Sequence, residues 1–192
     1  MDTKRLTIFL FSALIAIIQL SGLTIDDFSA DPDSSPMRGQ WRGFTDRVMG
    51  GRSDMQAGLI QEDGELFLRM LGTVTTENNG GFIQVRLAFE PSQLNADLQD
   101  YEGVRVRYRI NREGNYLIHL RTRQSRLPWA YYSASLPDGD GWQIAEIPWS
   151  EFKANGTMRQ SFNPNDLRSL ALVAGEDNFE AEIDLQLIGL YD

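Results

Sequence analysis

The sequence predicts an all-β protein, an antiparallel β-sandwich of the jelly-roll kind, and three observations support this. Short runs in which apolar and polar residues alternate recur from residue 23 onward, as in strands with one buried face. Clusters rich in Gly, Asn and Asp separate these runs and supply turns. The 192 residues contain no βαβ rhythm, internal repeat or linker. One domain is therefore expected.

The first 22 residues form a separate segment. Lys4-Arg5 precedes an apolar run over 6–18, and Ser21-Gly22 follows it. This pattern is typical of a secretory signal peptide, and the run is shorter than the ~20 residues that span a membrane. An uncleaved anchor is the alternative, because no Ala-x-Ala cleavage site is present. We expect residues 1–22 to direct export of the domain 23–192 to the bacterial periplasm or the extracytoplasmic membrane face. Contact with the membrane is expected only through this segment, if it stays uncleaved.

The strands follow in order along the domain. They are predicted at 66–71, 81–87, 104–110, 116–122, 130–136, 142–147, 167–174 and 181–187. The alternation is clearest at 104–110, where Arg105, Arg107 and Arg109 share one face and are expected to pair with surface carboxylates. Helical character is limited to two short stretches, 91–98 and 150–153.

Composition excludes several classes of function. The chain has no Cys, so it contains no disulfide, thiolate metal site or cysteine nucleophile. A single histidine, His119, excludes a multi-histidine metal site within one chain and weakens the case for a Ser/His hydrolase. A net charge of −9 argues against binding to nucleic acid. We expect no catalytic residue, no cofactor and no metal. Loop carboxylates such as Asp138 and Asp140 leave calcium open as an alternative.

The segment 41–53 is the most informative local feature. It predicts an ordered loop in which Trp41 and Phe44 enter the core and Asp46 accepts backbone N–H bonds. Gly50-Gly51 permits a tight turn or a close backbone approach. The spacing matches neither G-x-G-x-x-G nor a P-loop, so a phosphate site is excluded.

Two glycine motifs in this sequence resemble those of one family. Asp46-Arg47-Val48-Met49-Gly50-Gly51-Arg52-Ser53 resembles the D-x-V-M-G-G-x-S segment of the complex I intermediate-associated protein 30 (CIA30) family, and Glu77-Asn78-Asn79-Gly80-Gly81-Phe82 resembles its E-N-N-G-G-F motif. Residues 101–104, 116–121 and 147–152 resemble later family segments in the same order. The resemblance spans about residues 26–190.

This resemblance implies a galactose-binding-domain-like sandwich without catalytic activity. Mitochondrial members act as assembly factors for complex I, so a protein partner and an assembly or chaperone-like role are implied. This sequence departs from them at its start, where a secretory-type segment replaces a transit peptide. The alternative is an exported carbohydrate-binding module, favoured by fold analogy and by the aromatic residues Trp129, Tyr131 and Tyr132.

Candidate binding residues come from the two motifs and from one strand with its neighbouring aromatic residues. His119 is expected to share a face with Leu117 and Arg121. A hydrogen-bonded strand histidine and core aromatic residues are the alternatives. The candidate residues are Asp46, Arg47, Met49, Gly50, Gly51, Ser53, Asn78, Asn79, Gly80, Gly81, His119, Arg121, Trp129 and Tyr131.

Overall fold

Antiparallel strands make up most of the fold. The computed structural model describes residues 21–29, 37, 40–156 and 158–192. The strands are β1 (Leu23–Asp26), β2 (Arg42–Thr45), β3 (Asp54–Glu62), β4 (Glu65–Val74), β5 (Phe82–Ala88), β6 (Gly103–Ile110), β7 (Tyr116–Thr122), β8 (Tyr132–Ser135), β9 (Gln143–Pro148), β10 (Lys153–Ala154), β11 (Leu167–Gly175) and β12 (Phe179–Tyr191).

The strands form two sheets. Sheet A has the order β3-β4-β12-β6-β9, and β1 pairs with the C-terminal part of β12. Sheet B has the order β10-β8-β7-β11-β5-β2. All these pairings are antiparallel. The predicted antiparallel β-sandwich is therefore confirmed.

The core lies between the sheets because apolar residues alternate along most strands. In β7, Tyr116, Ile118 and Leu120 are buried in the core, and the residues between them point to the other face of sheet B. Burying one such aliphatic side chain contributes about 1.5–3 kcal/mol. The Tyr116 hydroxyl joins the two sheets: it donates to the carbonyl of Arg112 at 2.8 Å and accepts from the Glu182 amide of β12 at 3.0 Å.

The outer face of sheet A is covered by ion pairs. Arg105 lies 2.7 Å from Glu146, and Arg107 lies 3.4 Å from Glu65. Arg109 pairs with Asp184 at 2.8 Å. The expected pairing of these arginines with carboxylates is thus what the structure shows, and it leaves little of their charge for a ligand.

Asp184 is the fully buried member of this network. It accepts hydrogen bonds from Arg69 at 2.7 Å, from Asn111 at 2.8 Å and from Arg109 at 2.8 Å. Burial alone would raise the pKa of Asp184, but these hydrogen bonds outweigh burial and lower it. The carboxylate stays charged and joins β4, β12 and β6.

The eight predicted strands are all present, but other local predictions were wrong. The stretches 91–98 and 150–153 contain only short 3-10 turns, at Pro91–Leu94, Leu98–Asp100 and Trp149–Glu151. The expected loop 41–53 contains β2 and a 3-10 helix at Asp46–Met49. In such short stretches, the periodicity of apolar residues does not distinguish a helix from a 3-10 turn, or a loop from a short strand.

The N-terminal segment lies almost wholly outside the described part of the chain. Of the predicted signal peptide or anchor at 1–22, residues 1–20 are not among the described residues. Within the described ranges, no helix has the length and apolar character needed to cross a membrane.

Candidate functional site

A groove crosses the outer face of sheet B. Its floor is apolar: Leu117, Ala171 and Val173 are buried together in a cluster separate from the core, and Phe82 packs against them. A sheet face turned to water is normally polar. The groove encloses about 520 Å³, which lies in the usual range of ligand sites. We call this feature the sheet-B groove.

Polar side chains stand beside this apolar floor at fixed register positions. Ala171 on β11 lies opposite Arg86 of β5 on one side and His119 of β7 on the other. Val173 lies opposite Gln84 in the same way. The methyl group of Ala171 leaves space between the arginine and the histidine. The groove therefore offers apolar contact and hydrogen-bonding groups side by side.

The first wall of the groove is formed by β2 and the 3-10 helix that follows it. It presents Phe44, Val48 and Met49 to the groove. Val48 is 71% exposed and Met49 is 46% exposed. The guanidinium of Arg86 lies over the ring of Phe44 in a cation–π contact, with the Arg86 Cζ atom 4.3 Å from the ring centroid. The prediction that Phe44 enters the core is wrong, because β2 turns this side chain to the outer face of sheet B.

A buried carboxylate holds this wall in place. Asp46 is fully buried and accepts hydrogen bonds from the Ser53 amide at 3.0 Å and the Ser53 hydroxyl at 2.5 Å. It also accepts from the Gly81 amide at 2.6 Å. Hydrogen bonds to a charged acceptor are the stronger kind. One side chain thus ties together the two glycine motifs of the sequence.

The glycines of both motifs make room for this carboxylate. A Cβ atom on Gly51 would lie 2.3 Å from the Asp46 Cγ atom. A Cβ atom on Gly80 would lie 2.4 Å from the Asp46 Oδ2 atom. Both distances are far inside van der Waals contact, so any side chain at either position would displace the carboxylate. The motif residues here have a packing role.

The second wall is the loop between β7 and β8. Arg121 at the end of β7 organises it by donating to the carbonyls of Leu127 and Pro128, each at 2.7 Å, and of Ser125 at 3.1 Å. This ties down a loop that carries Trp129, which is 52% exposed. Arg121 therefore acts mainly on the shape of the wall.

His119 lies at the foot of this wall, under Tyr131. Their rings are stacked, with centroids 4.0 Å apart and planes 14° apart. Burial lowers the pKa of His119 to about 3, and the positive charge of Arg121 adds to the effect. The imidazole is therefore neutral at pH 7. Burial likewise raises the pKa of the Tyr131 hydroxyl, so the phenol stays protonated.

Two shielded polar atoms near His119 are not hydrogen-bonded to each other. The His119 Nε2 atom and the Ser133 Oγ atom are both buried, and neither has a hydrogen-bond partner among the described residues. They sit opposite each other in the β7–β8 register. A nucleophile would need a hydrogen bond to its base. No group of three or more His, Asp or Glu side chains in the described ranges could hold a metal ion.

Sequence comparison places the chain in a family. The model of the family described as Complex I intermediate-associated protein 30 (CIA30) matches residues 27–187. The chain belongs to the CIA30 family. The resemblance carried by the two glycine motifs is thereby confirmed. No curated protein matches the sequence significantly.

Solved structures similar to this CIA30 domain share its fold. One is the family 11 carbohydrate-binding module of the cellulase Lic26A-Cel5E from Clostridium thermocellum, with a TM-score of 0.69 at 12% identity over 90% of this chain and 95% of that one. The same family's module in complex with a β-1,3-1,4-mixed-linked tetrasaccharide gives 0.67 at 13% identity, over 90% and 96%. A family 30 carbohydrate-binding module gives 0.54 at 15% identity, over 90% and 100%. These likenesses extend over the whole sandwich and confirm the fold alone.

The structure brings half of the predicted site residues of this CIA30 domain to the groove. These are Met49, Gly80, Gly81, His119, Arg121, Trp129 and Tyr131. Asp46, Gly51 and Ser53 lie behind the first wall and support it. Gly50 forms the turn that ends the 3-10 helix. Arg47 donates to the Ser53 carbonyl at 2.9 Å, and Asn78 and Asn79 lie in the turn before Gly80.

Sequence reasoning missed most of the floor. Phe82, Gln84 and Arg86 alternate with core residues along β5, and that alternation marks them as one face. Ala171 and Val173 carry no such signal, because β11 is apolar on both faces. A strand that is apolar on both faces predicts burial on both sides. Here one of those faces lines the groove.

Proposed function

We propose that this CIA30 domain is a non-catalytic binding module that holds a segment of a partner protein in the sheet-B groove. The observation that carries the proposal is the groove itself, a preformed depression with an apolar floor between two walls with exposed apolar side chains. Soluble domains seldom leave a contiguous apolar surface exposed without a partner. A surface of this kind gains binding energy when a second chain covers it.

The residue types favour a protein ligand. The walls present Met49, Trp129, Tyr131 and Phe44 together with Arg86. Met, aromatic residues and Arg are the types enriched at protein interfaces, where a few of them supply most of the binding energy. The two walls are also fixed in advance, one by Asp46 and the other by Arg121. Preorganised walls lower the entropy cost of binding.

The family match supports a role in assembly. The family description refers to a protein associated with intermediates of complex I. We propose a similar kind of role here: the groove binds a segment that a partly assembled protein complex exposes. We also propose that residues 1–22 direct the domain to the extracytoplasmic side of a bacterial membrane.

Selection from a displayed random peptide library tests this function. The wild-type domain should enrich a shared sequence pattern that contains apolar residues. Ala171→Phe fills the floor of the groove and should abolish that enrichment. Ile144→Phe, on the exposed outer face of sheet A, is the matched control and should leave it intact. Unchanged enrichment by Ala171→Phe in a folded domain would contradict the proposal.

Carbohydrate binding is the second candidate function. The half-exposed indole of Trp129 and the ring of Tyr131 provide apolar faces next to hydrogen-bonding groups, as sugar recognition requires. The structurally similar modules are described as carbohydrate-binding. Titration with a panel of β-glucans, followed by Trp fluorescence, separates the two candidates. Saturable binding that Trp129→Ala removes would favour the carbohydrate function over the peptide function.

A further inference from the structure

The sheet-B groove carries an excess of positive charge. Among the residues that the structure describes, its lining includes three arginines (Arg86, Arg121 and Arg126) and one carboxylate, Glu176. Glu176 already accepts a hydrogen bond from the Asn115 side chain at 3.1 Å. The protein as a whole has a net charge of −9. A cationic groove on an acidic protein favours a ligand of opposite charge.

Arg86 is a guanidinium of this groove that remains available, on the floor beside Ala171. Its charge lies over the Phe44 ring, and within the described ranges it forms no ion pair or hydrogen bond. Arg121 differs, because three loop carbonyls occupy its terminal nitrogens. A guanidinium presents donors in a planar fork that suits a carboxylate.

Arg86 and Arg121 lie close enough in the sheet-B groove for their positive charges to interact. Burial lowers the pKa of Arg121, and the charge of Arg86 lowers it further, so the two guanidinium groups repel each other. His119 is neutral and supplies no compensating charge. The small side chain of Ala171 leaves room between Arg86 and His119. An anion placed there would relieve the repulsion.

We infer that the ligand segment carries a carboxylate that binds Arg86 above Ala171 in the sheet-B groove, a statement that rests on the proposed function. The carboxylate pairs with the Arg86 fork while neighbouring apolar groups cover Leu117 and Val173. Two sources share this chemistry, an acidic side chain and a C-terminal carboxylate.

Pairs of small peptide probes that differ only in charge test the inference. N-acetyl-leucine and N-acetyl-leucinamide test a terminal carboxylate. N-acetyl-glutamyl-leucinamide and its glutaminyl counterpart test an acidic side chain. Binding is followed by nuclear magnetic resonance of backbone amides and of the Arg Nε–H groups. We expect one acidic probe to bind at least 10-fold more tightly than its neutral counterpart and to shift the Arg86 Nε–H signal.

Variants show whether Arg86 is responsible. Arg86→Gln should remove the preference for charge, Arg86→Lys should keep part of it, and Arg159→Gln, an exposed arginine outside the groove, should keep all of it. Equal binding of charged and neutral probes in the groove would overturn the inference and leave the proposed function standing. A preference for charge that survives Arg86→Gln would also overturn it. If no probe shifts any groove amide, both the inference and the proposed function fail.

Discussion

At the scale of single residues, Asp46 determines the geometry of the first groove wall. Asp46→Asn replaces an acceptor oxygen by a donor that faces other donors. We expect it to lower the free energy of unfolding by about 3 kcal/mol, since buried donors lose a charged partner. Urea unfolding measures this loss. Asp140→Asn, an exposed turn residue, is the control and should change stability little. Equal stability of Asp46→Asn and the wild type would contradict the structural role.

The burial of His119 leads to a separate prediction, about how the stability of the protein depends on pH. Its pKa is about 3 in the folded protein, against an ordinary value of about 6.5 in the unfolded chain. Between these two pH values, His119 is protonated in the unfolded chain but neutral in the folded protein. Protonation therefore favours the unfolded state, and the free energy of unfolding decreases as the pH falls below about 6.5. We expect the stability of the wild type relative to His119→Gln to fall by about 2.5 kcal/mol between pH 7 and pH 4.5. A difference independent of pH, measured by urea unfolding, would show that the imidazole is not shielded.

Residue roles could be predicted only in part. The acceptor role of Asp46 and the shared face of Leu117, His119 and Arg121 follow from residue chemistry and from period-two alternation, and the structure shows both. The placement of Phe44 could not be predicted, because a short strand next to a turn can present an aromatic ring to either face. Nor does the sequence show that the two glycine motifs, 35 residues apart at Asp46 and Gly81, meet at one carboxylate.

At the scale of elements, one turn fixes where the first wall ends. Gly50 has φ +93° and ψ 4° and closes the 3-10 helix Asp46–Met49, and a Cβ atom there would meet nothing within 4 Å. Gly50→Val is thus expected to cost about 1–2 kcal/mol through backbone strain alone. Gly50→Asn should cost less, because Asn tolerates this conformation. Thermal unfolding checks both, and an unchanged midpoint for Gly50→Val would exclude the backbone role.

The second wall is expected to depend on Arg121. In Arg121→Met the carbonyls of Ser125, Leu127 and Pro128 lose their donor, so backbone amides in the loop 123–130 should exchange with deuterium at least several-fold faster. Arg123→Met, in the same loop and with an exposed side chain, is the matched control. Mass spectrometry of hydrogen exchange measures the change. Equal exchange in the two variants would show that another contact holds the loop.

The elements that could be predicted most clearly are those with one buried face. β6, β7 and β12 alternate clearly and were all predicted from the sequence. β3 was missed, because it lies at the edge of sheet A and nearly all of its residues are exposed on both faces, which leaves no alternation. The bulges that shift register in β11 and β12 carry no local signal either.

At the scale of the whole molecule, the two outer faces of the sandwich differ in kind. On sheet A, arginines and carboxylates neutralise one another around Asp184. On sheet B, an apolar floor lies between two supported walls, with Arg86 left unpaired among the described residues. The fold class was predictable because alternation and turns pervade the chain. The groove was not, since it depends on which strands become neighbours in sheet B.

Position-dependent photo-crosslinking tests the binding face most directly. The photoreactive residue benzoylphenylalanine is placed at Met49 or Trp129 on the groove walls, or at Ile144 on sheet A, in the full chain expressed in its own cells. We expect discrete protein adducts from the two groove positions, lost when Ala171→Phe is added, and none from Ile144. Adducts that form equally from Ile144, or that persist with the groove filled, would contradict the assignment of the sheet-B groove as the binding surface.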